Sequence, residues 1–148
     1  MKIYFAGPLF NSAEKEYNLK LVNELESIGF EVFLPQRDGV EKNKHPYNVL
    51  DPKDRRKALF EIDRDQILSS DIFLFVLDGR VPDEGACVEL GIAYTHKYLQ
   101  NVNKYLIGLH TDTRAAFMGS KLNPMINVPL DDIFSSEEEL FSFLSTKK

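Results

Sequence analysis

One hundred and forty-eight residues, 43% hydrophobic and 28% charged, can bury roughly two thirds of the unfolded surface, which excludes collagen-like, low-complexity and disordered classes. Eighteen Lys and Arg against 23 Asp and Glu leave a net charge of −5, which argues against nucleic-acid polymers and anionic membranes as partners. One cysteine, Cys87, and three histidines offer neither an internal disulfide nor a metal-ligand spacing, so no metal is expected. The apolar stretch before Gly7-Pro8 is too short for a signal peptide and no run of 18 apolar residues occurs, so a cytoplasmic location and one domain over residues 1–148 are expected.

Ile3 to Ala6 reads as a buried strand stopped by Gly7-Pro8. Asn11 or Ser12 can cap a helix whose apolar positions Tyr17, Leu21, Leu25 and Ile28 recur at helical spacing up to Gly29. Glu31 to Leu34 is a second strand ended by Pro35. The polar stretch from Gln36 to Pro52, with no periodicity, reads as a long binding loop or lid. Asp51 and Pro52 suit the cap and first position of a helix running to about Ser70. The uninterrupted apolar run Ile72 to Leu77 has the pattern of a strand buried on both faces. A turn-rich loop then leads into a helix from Glu84 to about Leu99, with Val88, Ile92 and Thr95 along one face. Tyr105 to Leu109 is a fourth strand, a short strand is expected near Ile126 to Val128, and a helix capped by Ser135 or Ser136 closes the chain.

Strands alternating with helices in a chain of this length predict an α/β fold, a parallel sheet wrapped on both faces by right-handed crossovers. Ligands of such sheets sit outside the carboxyl ends of the strands, so the loops beginning at Gly7, Pro35, Asp78 and His110 should line the site. No GxGxxG or GxxxxGK[ST] pattern is present, which argues against dinucleotides and triphosphates. A phosphoacceptor domain needs an acidic pair after the first strand, where this chain has Ala6, Gly7 and Pro8.

The most informative segment runs from Asp78 to Gly91. Asp83 can cap the helix, and Gly85 and Ala86 are small enough for a ligand to approach the first turn. Glu89, between Val88 and Leu90-Gly91, is a carboxylate set among apolar and small side chains. Each has a plain structural alternative, Asp83 as a helix cap and Glu89 as a solvated helix glutamate. Leu59, Asp63 and Ile67 are four apart, which puts Asp63 on an apolar stripe, either paired with Arg64 or Lys57 or part of a site. Two inward carboxylates at a strand-end cleft suit paired acid and nucleophile roles at an anomeric carbon.

Four segments carry a resemblance over nearly the whole chain: Ile3-Tyr-Phe-Ala-Gly-Pro-Leu-Phe10, Leu34-Pro-Gln-Arg-Asp38, Asp83-Glu-Gly-Ala-Cys-Val-Glu-Leu-Gly91 and Asn123-Pro-Met125. On these the chain resembles the nucleoside 2-deoxyribosyltransferases. The resemblance implies a flavodoxin-like doubly wound sheet of about five mainly parallel strands, and exchange of the bases of 2'-deoxynucleosides by double displacement without a cofactor. It implies Glu89 as the nucleophile at C1', Asp63 as the proton donor and acceptor for the base, and Tyr4 as the residue orienting Glu89. Gln36 would read the base edge, Gly7 and Gly85 would line the substrate, and Asp83 would hold a free 5'-hydroxyl while repelling a 5'-phosphate. Asn123, with Met125 beside it, would come from a neighbouring subunit, so a homo-oligomer with shared sites is implied.

The related deoxynucleoside 5'-monophosphate N-hydrolases differ at the position of Asp83, where they carry serine. Hydrolysis of nucleosides or nucleotides is therefore the second reading, and a non-catalytic nucleotide-binding module the third. The family's carboxy-terminal carboxylate has no clear counterpart in Ser145-Thr-Lys-Lys148, and no role is assigned to Arg114.

Overall fold

Side chains alternate across a strand, so Ile3 and Phe5 leave the first strand on one face while Tyr4 and Ala6 leave it on the other. The computed structural model describes residues 1–40, 43–79, 81–112 and 122–147, and in it this alternation divides the core into two layers. The strands are Lys2–Ala6 (β1), Glu31–Phe33 (β2), Ile72–Val76 (β3), Tyr105–Leu109 (β4) and Asp132–Phe134 (β5). All are parallel, in the order β2-β1-β3-β4-β5, the flavodoxin-like arrangement. Residues of β1 face Ile72 to Phe75 one for one, and every residue of β3 is buried. That is why Ile72 to Leu77 shows no polar alternation.

One layer joins Ile3, Phe5, Leu74 and Ile107 to Leu21 and Leu25 of Ser12–Ser27 (α1) and to Leu140 and Leu144 of Glu137–Ser145 (α6). The other joins Tyr4, Phe73, Phe75 and Leu106 to Ile67 of Pro52–Ser69 (α3) and to Ala86, Leu90 and Ala93 of Glu84–Gln100 (α4). Each fully buried Leu, Ile or Phe contributes about 1.5–3 kcal/mol relative to exposure.

Caps fix where the helices begin. The Asn11 side chain accepts from Glu14 N at 3.0 Å, and Glu14 reaches back to Asn11 N, a reciprocal capping box. Asp51 Oδ1 accepts from Lys53 N and Asp54 N ahead of α3. At the other end of α3 the ammonium of Lys104, only 2% exposed, donates to the carbonyls of Ile67 and Ser70, and to Ser70 Oγ at 3.1 Å. A cation on the last carbonyls satisfies orphan acceptors and opposes the negative end of the helix dipole.

Two expectations from the sequence are corrected. Ile126 to Val128 is not a strand: Pro124–Asn127 (α5) is a helical turn and the fifth strand lies at Asp132–Phe134. The cause is Asn123, whose Oδ1 accepts from Met125 N at 2.9 Å, followed by a proline preset for the first helical position. The stretch after β2 is not featureless, since it begins with Pro35–Asp38 (α2) and includes a 3₁₀ turn at Tyr47–Val49. Asp38 Oδ2 accepts from Leu34 N at 2.9 Å, and the guanidinium of Arg37 bonds both Glu26 oxygens, pinning α2 against α1. On α4 Val88, Ile92 and Thr95 do share one face, an outward one with Val88 61% exposed, while the buried stripe is Ala86, Leu90 and Ala93. Two alanines in that stripe let the helix lie close to the sheet. Among the described residues no helix is long and apolar enough to cross a membrane.

Candidate active site

The sheet positions Tyr4. It stands opposite Phe33 and Phe73 in register, and its ring stacks between theirs at centroid distances of 5.7 Å on both sides. A ring so confined can extend its hydroxyl only toward the α3–α4 layer. There it donates to Glu89 Oε1 at 2.9 Å. Burial, followed by the charges of Glu89 and Asp63, pushes the phenol far above its ordinary range, so Tyr4 keeps its proton and remains a donor.

Glu89 lies in the second turn of α4, one position from the inward stripe, so its carboxylate is half-buried beneath a cleft. Desolvation raises its pKa to about 7; the bond from Tyr4 works against that rise, and the charges of Asp63 and Asp83 add to it. Asp63, on α3, is raised to about 6 by desolvation. Its Oδ1 is buried and has no hydrogen-bond partner. The cations beside it in sequence are engaged elsewhere, Arg64 with Asp65 and Lys57 with Glu61. Of the two readings open for Asp63, the ion pair is therefore not the one the structure adopts. A buried carboxylate oxygen left unpaired is costly unless something else meets it.

Glu89 and Asp63 open into one cavity of about 440 Å³ at the carboxyl ends of the first strands, a size suited to a small molecule, with Tyr4 buried behind Glu89. Glu89, Asp63, Asp83, Gln36, Gly7 and Gly85 all line it. Asp83 caps α4, its Oδ1 accepting from Ala86 N at 2.8 Å. A Cβ on Gly85 would stand 3.2 Å from that same oxygen, so the glycine leaves the Asp83 carboxylate room at the cavity wall. Gln36 is carried into the wall by α2; its Oε1 accepts from Asn18 Nδ2 at 3.0 Å and its Nε2 donates to Lys15 O at 2.9 Å.

Three predicted site residues do not line the cavity: Tyr4, which reaches it only through Glu89, and two that are not brought there. Asn123 spends its side-chain oxygen on capping α5, and Met125 is 79% exposed; neither lines the cavity of its own chain. Asp78 is likewise a structural clamp, since its carboxylate accepts from Thr111 N, Thr111 Oγ1 and Asp112 N and so joins the loops after β3 and β4. Toward the carboxyl end of the chain Lys147 lies over the rings of Tyr105 and Phe143, at the amino end of β4 and so at the opposite end of the strands from the cavity. Arg114 falls outside the described residues.

The structure adds wall residues that sequence reasoning left without a role, among them Leu9, Phe10, Val40 and Leu59. Phe10 is 73% exposed and Leu59 46%, so an apolar rim faces solvent at the mouth of an acidic cavity. Leu59 is thus a cavity residue and not the core partner that the apolar stripe implied. A large aromatic immediately before a helix cap was the available signal for Phe10.

The family model described as nucleoside 2-deoxyribosyltransferase matches residues 3–129. The chain belongs to that family. A conserved protein from Enterococcus faecalis V583 superposes with a TM-score of 0.77 at 27% identity, covering 100% of this chain and 99% of the other. A 2-deoxyribosyltransferase from Bacillus psychrosaccharolyticus superposes with a TM-score of 0.74 at 24% identity, covering 95% and 90%. A CMP N-glycosidase from Clostridium botulinum shares the fold at a TM-score of 0.51 and 18% identity, covering 100% of each chain. No curated protein sequence matches the chain.

Proposed function

We propose that this member of the nucleoside 2-deoxyribosyltransferase family exchanges the bases of 2'-deoxynucleosides by double displacement, with Glu89 as the nucleophile. The observation that carries the reading is one cavity holding two differently supported carboxylates, Glu89 bonded by Tyr4 and Asp63 unpaired at Oδ1. The bond from Tyr4 favours the charged form of Glu89, while Asp63 Oδ1 has no such partner, so hydrogen bonding works toward an ionised Glu89 beside a protonated Asp63.

In the first half-reaction a Glu89 oxygen forms a bond to C1' as the bond from C1' to the base nitrogen breaks. The electron pair of that bond goes to the base, and the proton of Asp63 follows it. The ionised Glu89 also lies where the positive charge of an oxocarbenium-like transition state develops. In the second half a new base attacks C1', its proton passes to Asp63, and the ester bond to Glu89 breaks, restoring both carboxyls. Tyr4 holds one Glu89 oxygen and so orients the other. Gln36 meets the base edge, Phe10 offers a face for the base to stack on, and Gly7 and Gly85 keep the walls open. Asp83 accepts from the 5'-hydroxyl of the sugar and repels a 5'-phosphate.

The reading includes a single cytoplasmic domain, no cofactor, and a homo-oligomer in which Asn123 and Met125 reach a neighbour's cavity. An outward apolar face on α3 and α4, with Phe60, Val88 and Leu99 each more than half exposed, supports association. Incubation with thymidine or deoxyinosine plus free adenine, followed by chromatography, tests the reaction. A new deoxynucleoside supports exchange; free deoxyribose alone makes the protein an N-glycoside hydrolase instead. Light scattering reports the assembly.

A further inference from the structure

Asn18 is 2% exposed, one of few buried polar side chains in the described residues, and it lies on α1 behind the cavity wall. Both protons of its Nδ2 are used. One goes to Pro8 O at 2.9 Å, in the loop after β1, and the other to Gln36 Oε1 at 3.0 Å. Gln36 Nε2 in turn donates to Lys15 O at 2.9 Å. This relay of two amides is anchored at each end by a main-chain carbonyl, which can only accept. Turning the Asn18 amide over would set oxygen against oxygen at two places, and turning the Gln36 amide over would set donor against donor at Asn18 and oxygen against oxygen at Lys15 O. The orientation of Gln36 is therefore fixed by the chain itself, before any base arrives. One Nε2 proton and one Oε1 lone pair remain for a ligand, in a single spatial order.

We propose that Asn18 is a positioning residue that locks the Gln36 amide and thereby makes the site discriminate amino bases from oxo bases. The proposal rests on the reading of Gln36 as the residue that meets the base edge. Adenine and cytosine present an exocyclic N–H beside a ring-nitrogen acceptor. Hypoxanthine and uracil present an exocyclic oxygen beside a ring N–H, the reverse order. A free glutamine amide matches either order by rotating through half a turn. A locked one matches a single order and sets like groups against each other in the second, and a buried polar edge left unpaired is what makes such sites selective.

The test compares kcat/KM for adenine against hypoxanthine, and for cytosine against uracil, as acceptors with one deoxynucleoside donor. In the unmodified protein one class should lead by about tenfold or more. Asn18→Ala, and the milder Asn18→Ser, should move that ratio about fivefold or more toward unity, whereas the same changes made on a Gln36→Ala background should leave the ratio unmoved, the signature of action through Gln36. Equal loss for every base, or a ratio already near unity in the unmodified protein, overturns the lock. A readout independent of turnover is the Gln36 side-chain amide signal in nitrogen-15 NMR, assigned by its loss in Gln36→Ala. A protected proton should be present in the unmodified protein and lost in Asn18→Ser; an unprotected one overturns the lock. Absence of turnover with every base would overturn the exchange reading and the selectivity with it. Turnover with an unmoved ratio would remove only the role of Asn18.

Discussion

The Tyr4 hydroxyl donates to Glu89 Oε1 across 2.9 Å, although 85 residues separate the two in the chain. The parallel register that stacks Tyr4 between Phe33 and Phe73 leaves its hydroxyl this direction alone. Because the bond favours the ionised carboxylate, Tyr4→Phe should carry the Glu89 pKa above about 7. A hydrogen bond to a charged group is worth about 1.5–3 kcal/mol, so kcat/KM for exchange near neutral pH should fall roughly ten- to a hundredfold. The acid limb of the pH profile should move upward. A fall of the same size at every pH would show that Tyr4 acts by packing instead.

The raised carboxyl pKa values also set a stability profile. Glu89 at about 7 against its ordinary 4.5, and Asp63 at about 6 against 3.8, bind more protons folded than unfolded over roughly pH 4 to 7. Stability is therefore greatest below pH 4 as far as these two groups are concerned, and this contribution is lost as pH rises through their folded values. For Glu89 the loss is on the order of 3 kcal/mol by pH 8, as an upper bound. Glu89→Gln should therefore raise Tm at pH 8, by roughly 5 °C or more, and change it little at pH 4.5. Asp63→Asn should act in the same sense, because burial raises both carboxyls. Scanning calorimetry at the two pH values decides it, and a lower Tm at pH 8 would contradict the assigned burial.

Most of this was legible along the chain because it depends on local chemistry. The caps at Asn11, Asp51 and Asp83, the apolar run from Ile72 and the placement of Asp63 on a helix face all follow from spacing and residue type. Where a short apolar segment misleads, the cause is that so few residues do not report a period. Ile126 to Val128 reads equally as strand or helical turn, and only the Asn123-Pro124 cap decides. Val88 and Ala86 are both apolar and two residues apart, so helical spacing alone could not say which faced the sheet. The relay from Asn18 to Gln36 was invisible for a different reason. It joins three loops and helices whose adjacency is set by sheet order, and nothing in a lone mid-helix asparagine announces it.

Gly7 turns the chain out of β1 where a Cβ would lie 3.0 Å from Val76 Cβ and 3.3 Å from Val76 O. Main chain and a β-branched side chain cannot both yield, so Gly7→Ala should displace the first loop away from β3. The expected cost is about 1–3 kcal/mol in urea unfolding, with an unchanged m-value. Since Ala6, Gly7 and Phe10 line the cavity, KM for the donor nucleoside should rise in the same variant. An unaffected midpoint would mean that the loop relaxes at no cost.

Asp83 joins two duties, capping α4 through Ala86 N at 2.8 Å and presenting its carboxylate to the cavity. Serine is as good a helix cap as aspartate, so Asp83→Ser separates them: stability should change by less than about 0.5 kcal/mol. The electrostatic duty should not survive. A 5'-phosphate carries nearly two negative charges, and removing the carboxylate that faces it should shift the ratio of kcat/KM for a deoxynucleoside over its 5'-monophosphate toward the nucleotide by about tenfold or more. The shift should shrink as salt rises, because the cavity is open to solvent and its field is screened. An unchanged ratio at low salt, in a variant that melts normally, would place the 5' end of the sugar somewhere other than beside Asp83.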